Sequence, residues 1–328
     1  MGSSRLPSFL TRLRPDPFLL MIVSAVIAAS LLPVRGALVH PASILTDVAI
    51  ALLFFLHGAK LSRQAIAGGI TAWRIHLAVL LTTFVVFPIL GLGIRALTDT
   101  VLDPAIGAGI LLLCLMPSTV QSSIAFTSVA RGNVPAAVCS AAASNILGVV
   151  VTPLLVALLF AKTNGGISLD GAIKIALQLL LPFILGHLSR PVMEPFLNRY
   201  RNLLSRFDRG VIILVVYTAF SAAVVEGLWH RYSWGDLGWT LAIDAALLAV
   251  VLTLTTWGSR ALGFSKPDEI TIVFCGSKKS LASGVPIAGA LFPAAVVGPM
   301  ILPLMLFHQI QLMTCAWLAQ RYAARPKD

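Results

Sequence analysis

The chain has 328 residues, of which 58% are hydrophobic and 11% charged, with a mean hydropathy of +0.91 and a formal charge of +11. A soluble domain carries about 25% charged residues, so these proportions exclude a separate water-exposed domain. The positive residues are spread over the connections between apolar segments and not gathered on one face, which excludes nucleic acid as a partner.

In chain order, about ten apolar segments are expected, near 17–34, 43–60, 75–97, 104–130, 134–161, 169–188, 209–229, 234–260, 268–292 and 293–320; most exceed the roughly 20 residues that cross a bilayer. The first follows Arg5, Arg12 and Arg14, lacks a small-residue cleavage site and reads as a retained span, not a signal peptide. The expected organisation is a cytoplasmic segment 1–16, a five-span unit 17–161, a second five-span unit 162–320 and a cytoplasmic tail 321–328. An odd number of spans per unit inverts the second relative to the first. The densest positive cluster, Arg190, Arg199, Arg201, Arg206 and Arg209, reads as the longest hydrophilic connection. The positive-inside rule then puts it and both termini in the cytoplasm, of a bacterial-type inner membrane. Weaker clusters around Arg63 and Arg131 conflict with strict alternation. All four cysteines fall inside spans, where they read as small core residues and not as disulfides.

The fourth span contains Leu115-Met116-Pro117-Ser118-Thr119-Val120-Gln121-Ser122-Ser123. The ninth, fourth in its own unit, contains Gly276-Ser277-Lys278-Lys279-Ser280-Leu281-Ala282-Ser283-Gly284-Val285-Pro286. Proline, glycine and polar residues interrupt both in mid-span. Free backbone groups are tolerated at that depth only against protein or a wet cavity. Interrupted segments at matching positions of two units point to a transporter binding site. A buried ammonium costs several kcal/mol or more unless it is paired or hydrated, so Lys278 and Lys279 mark the second interruption.

These segments, together with Gly148-Val-Val-Val-Thr-Pro-Leu-Leu155 and Phe307-His-Gln-Ile-Gln-Leu312, lie in an order that resembles the bile acid:sodium symporter superfamily, most closely its SBF-like branch. The resemblance implies an all-α membrane fold of ten helices in two inverted five-helix repeats. Spans three to five and eight to ten form a core in which two broken helices cross. The other four form a panel, with substrate between the two. Better-known symporters of this type hold two sodium ions at the crossing. Carried over residue by residue, the family's Ser-Asn pair becomes Ser122 and Ser123, and its third-span glutamine becomes Thr83. Its sodium-binding glutamate falls near Phe274 or Cys275, and its Met-Gln pair becomes Ser277 and Lys278. Its fifth-span hydroxyl ligands become Ala137 and Ala141. The ion sites have lost their carboxylate and gained lysine.

Ser122, Ser123, Ser140, Ser144 and Asn145 supply neutral oxygens. Ser122, Ser123, Ser140 and Asn145 are the sodium candidates, although a nearby ammonium repels sodium. Lys279 reads as a built-in replacement for the ion, with Asp244 in the eighth span as its counter-charge. A desolvated lysine can also titrate, which makes H+ the alternative to Na+ as coupling ion. Thr119, Gln121 and Ser280 complete the polar lining. His308 is able to take a proton near neutral pH, but His308, Gln309 and Gln311 all read first as interhelical hydrogen-bonding glue. No metal cluster and no cofactor are expected. A Ser/Lys dyad of Ser122 or Ser280 with Lys279 is the catalytic alternative, but no nucleophile elbow or metal-protease motif accompanies it. The reading is therefore a secondary transporter of a small organic anion in a lipid bilayer, with a non-transporting membrane regulator or sensor on the same fold as the alternative.

Overall fold

The computed structural model describes residues 17–60, 72–98, 102–160, 169–227 and 233–326. The expected segment 1–16, the basic stretch around Arg63 and the unit boundary at Lys162 lie outside the described residues. Within them every regular element is a helix. Six stretches are long and apolar enough to cross a membrane: Gly36–Lys60, Trp73–Thr98, Val134–Phe160, Arg201–Val225, Trp234–Ala261 and Ala294–Ala323.

The order begins with α1 (Pro17–Leu31) and α2 (Val39–Lys60). Next, α3 (Trp73–Leu81) runs through a π-helical stretch, Thr82–Val86, into α4 (Phe87–Thr98). A first pair of short helices, α5 (Pro104–Leu115) and α6 (Gln121–Val129), is followed by α7 (Val134–Phe160), α8 (Leu169–Arg199), α9 (Arg201–Val225) and α10 (Trp234–Ala261). A second short pair, α11 (Lys266–Gly276) and α12 (Leu281–Leu291), precedes α13 (Ala294–Ala323). The starts are encoded locally. Asp103 accepts from the Ala105 N–H ahead of Pro104, Ser233 and Asp236 form a reciprocal capping box, and Ser265 and Ser280 cap α11 and α12.

One expectation fails. The charged stretch Arg190 to Asp208 is not an extended connection: α8 continues to Arg199 and α9 starts at Arg201, with only Tyr200 between them. Charge density marks where a helix leaves the apolar slab, not where it ends. Here the charges sit on helical faces, with Arg190 and Glu194 paired at 3.4 Å one turn apart and Lys60 paired with Asp208 at 2.6 Å. The four cysteines are free, and Cys114, Cys275 and Cys315 are buried.

Lipid is as apolar as leucine, so close contact and polar bonds hold such helices together, not burial from water. Close approach is clearest where α2 runs along α8. A Cβ on Gly58 would strike the Phe183 carbonyl, and one on Gly186 would strike the Phe55 carbonyl. Further apolar core, including Phe87, Leu111, Phe220, Val285 and Phe307, surrounds the two short-helix pairs. They are held from outside by α3, α7, α10 and α13.

Candidate functional site

The two interruptions lie against each other. At the first, Pro117 brings no N–H and Met116 turns extended (ψ 151°), so α5 ends at Leu115. At the second, Ser280 is extended (ψ 110°) and caps α12. Ser280 N–H donates to the Pro117 carbonyl at 2.8 Å. The Ser118 hydroxyl donates to the Cys275 carbonyl at 2.5 Å, and the Ser123 hydroxyl to the Phe274 carbonyl at 3.0 Å. Helix α7 secures the first break from the side. Thr152 donates to the Leu115 carbonyl at 2.8 Å, Ser144 accepts from Ser118 N–H at 3.0 Å, and Asn145 donates to the Ser118 carbonyl at 2.6 Å. Asn145 also accepts from the Ser283 hydroxyl at 2.7 Å, so one side chain spans both breaks. These bonds answer the backbone groups that the helix ends leave unpaired.

Lys279 is fully buried. Its ammonium donates to three backbone carbonyls, those of Thr83 (2.9 Å), Cys114 (2.8 Å) and Met116 (2.7 Å), one for each N–H. The Phe87 ring lies 4.0 Å away. Each carbonyl is free for a reason. Cys114 and Met116 stand at the negative end of α5. Thr83 lies in the π-helical stretch, where Phe87 N–H reaches back five residues to the Thr82 carbonyl. In that register the donor for Thr83 would be residue 88, a proline without an N–H. Thr83 was singled out for its side chain, but its hydroxyl bonds back to the Val79 carbonyl; its carbonyl meets the lysine.

The expected Lys279–Asp244 ion pair is not formed. Asp244 is fully buried on α10, next to the backbone of Phe307, and neither carboxylate oxygen has a hydrogen bond of normal geometry among the described residues. The carbonyl cage captures the ammonium instead. Lys278 points elsewhere. Its ammonium sits 3.8 Å from the centre of the Phe126 ring and 5.8 Å from that of Phe274, with no hydrogen-bond acceptor among the described residues.

A cavity of about 510 Å³ opens beside the crossing. Of the residues anticipated from sequence, Thr119, Gln121, Ser122, Asn145, Ser280 and His308 line it. Ser123, Ser144, Lys279 and the Thr83 carbonyl lie behind it, in the junction. Four candidates fall outside this group: Lys278 and Asp244, described above, Ser140, which bonds to His76 of α3 at 2.6 Å, and Ser277, whose hydroxyl bonds back to the Val273 carbonyl. The starts of α6 and α12, at Gln121 and Leu281, both border the cavity and bring their positive ends to it. Its wall is apolar at Leu53, Phe54, Ile146, Val149, Phe183 and Ile287, and His57, Lys60, Asp208 and Arg209 stand at its charged margin. Ser118, Ser283 and Thr152 stand in the motifs read from the sequence but were not singled out as site residues. Ser283 has a readable signal, because it lies three residues after the capping Ser280. Gln311 does more than glue helices: its amide holds both the N–H and the carbonyl of Lys279, each at 2.9 Å.

Long apolar helices, two mid-span breaks bonded to each other and a cavity beside them define a multi-pass membrane transporter. The particular family is equally plain: the model of the SBF-like CPA transporter family matches residues 16–324, and the chain belongs to it. The family is one of transporters, not enzymes. The chain is 57% identical over 319 residues to Uncharacterized protein PA2026 of Pseudomonas aeruginosa, covering 97% of this chain and 96% of the relative. It is 54% identical over 307 residues to the Escherichia coli protein named "Putative symporter YfeH", with 94% and 92% covered. It is 27% identical over 314 residues to Sodium/bile acid cotransporter 7 of Danio rerio, with 93% and 92% covered.

Proposed function

We propose that the chain is a secondary active transporter of a small organic anion in which Lys279 takes the place of a coupling cation at the junction. The reading includes ten spans in two inverted five-span units, 17–161 and 162–320, with termini and the 190–209 region facing the cytoplasm of a bacterial-type inner membrane. The carrying observation is the Lys279 ammonium, which ties the end of α5 and the π-helical stretch to the second break through three carbonyls. An ammonium there supplies the positive charge that a bound ion would otherwise bring, and repels a second cation. One relative is named a symporter and another a sodium/bile acid cotransporter. This reading retains symport and omits sodium. An anion as substrate is supported by the two positive helix ends at the cavity, Gln121 and Leu281, with Ser122, Ser283 and Asn145 as its proposed hydrogen-bonding partners.

The test is thermal unfolding of the detergent-solubilised protein with a panel of aliphatic, aromatic and steroidal carboxylates and sulfonates, with sodium and pH varied separately. At least one anion stabilises the protein, equally in sodium and potassium. Saturable stabilisation specific to sodium overturns the replacement of the ion. Anion binding without accumulation in proteoliposomes points to a sensor on the same fold.

A further inference from the structure

His308 of α13 lines the cavity beside Ser280 and Ser283. Gln311, one turn later and fully buried, accepts from Lys279 N–H through Oε1 and donates to the Lys279 carbonyl through Nε2. A backbone N–H only donates and a carbonyl only accepts, so this amide has one possible orientation. Its Nε2 also faces Nδ1 of His308 at 2.9 Å. Nδ1 must therefore accept, which makes the imidazole neutral with its proton on Nε2. The Lys279 carbonyl lies 3.4 Å from the same Nδ1, acceptor facing acceptor.

We infer that His308 is the proton-binding site of the transport cycle, whose protonation at Nδ1 releases the Gln311 clamp on the second break. The inference rests on the anion-transport reading above. A proton on Nδ1 turns the acceptor into a donor and sets it against the Gln311 amide, also a donor. The Lys279 carbonyl can take the new N–H, while Gln311 must turn away or leave a buried donor unpaired, which costs about 1–3 kcal/mol. The imidazolium also adds a positive charge beside the starts of α6 and α12. Anion and proton then favour each other's binding, which is the thermodynamic content of symport.

Among the described residues, the following charged and titratable groups stand around this position. The Lys279 ammonium turns away into its carbonyl cage, and Lys278 sits under Phe126. On the neighbouring helices are Asp244 of α10, Cys114 of α5 and Cys315 of α13; α6 and α12 carry no titratable side chain. Across the cavity stand His57 and Lys60 of α2 and Asp208 and Arg209 of α9.

Nitrogen NMR of protein labelled with 15N-histidine in nanodiscs reads the tautomer, the His308 signal being the one lost in His308→Asn. Hydrogen exchange of residues 277–283, corrected for its intrinsic pH dependence, reads the clamp. The expected results are an Nε2–H tautomer at the alkaline end and a doubly protonated ring at the acid end. Exchange at the acid end is about tenfold faster, as loss of one or two net hydrogen bonds predicts. His308→Asn, whose Oδ1 falls where Nδ1 accepts, keeps slow exchange at every pH. An Nδ1–H tautomer, flat exchange in the wild type, or a pH dependence that survives in His308→Asn overturns the inference. Neither measurement needs a substrate, so an unresponsive anion panel counts against transport and leaves the His308 result to be judged separately.

Discussion

The two breaks meet a single physical problem, a helix stopped at depth, in opposite ways. The first is electrically neutral. Its orphan groups are met by Thr152, Ser144 and Asn145 from α7, by the backbone of the second break and, at Cys114 and Met116, by the lysine that the second break brings. The second brings its own charges, and its two adjacent lysines have different fates. Lys279 gives all three N–H groups to carbonyls of Thr83 and the first-break region, while Lys278 rests against aromatic rings without an acceptor among the described residues. The lesson is that a buried charge stabilises a fold only where the fold has left unpaired partners for it. The end of α5 and the π-helical stretch leave three; the surroundings of Lys278 leave aromatic faces.

The sharpest way to break that contrast is to replace each lysine by methionine, similar in length and uncharged. Lys279→Met strands three buried carbonyls at about 1–3 kcal/mol each, so a loss of at least about 3 kcal/mol is expected in thermal or denaturant unfolding in detergent. Lys278→Met removes a charge with no hydrogen bond and should be neutral, or stabilising by about 1 kcal/mol. Equal losses in the two variants would show that they are not different kinds of site.

A smaller effect probes the neutral break. Thr152→Val leaves the Leu115 carbonyl without its donor and should cost about 1–3 kcal/mol. No measurable change on unfolding would mean that α7 does not secure the first break. The smallest effect concerns Asp244. Because its carboxylate does not meet Lys279, Lys279→Met and Asp244→Asn should be additive in a double-mutant cycle, within about 0.5 kcal/mol. A coupling well above that would restore the ion pair and remove the cage as the reason for Lys279.

Much of this was readable in the chain. The all-helical membrane character follows from apolar runs interrupted at Pro117 and Gly276, because backbone polar groups in lipid must be satisfied within a helix. The residues able to line a polar site stood out for a related reason: Thr119, Gln121, Ser122, Asn145, Ser280 and His308 are polar in apolar runs, and all six line the cavity. The extent of α8 and α9 was not readable, because charges at residues 190–209 suit a loop and an emerging helix equally well. The partner of Lys279 was not readable either. A sequence displays side chains, so it offered Asp244; the true acceptors are main-chain carbonyls, which every residue possesses and which become available only where a helix ends or shifts register.

Sequence by itself determined the membrane class, the family and the positions of both breaks, since hydropathy, proline and glycine act locally on the backbone. Tertiary structure alone decided which lysine is caged and which acid has no hydrogen bond of normal geometry among the described residues. Those outcomes depend on donors and acceptors brought together from helices as far apart in the chain as Thr83, Cys114, Lys279 and Gln311, and no local pattern encodes that meeting.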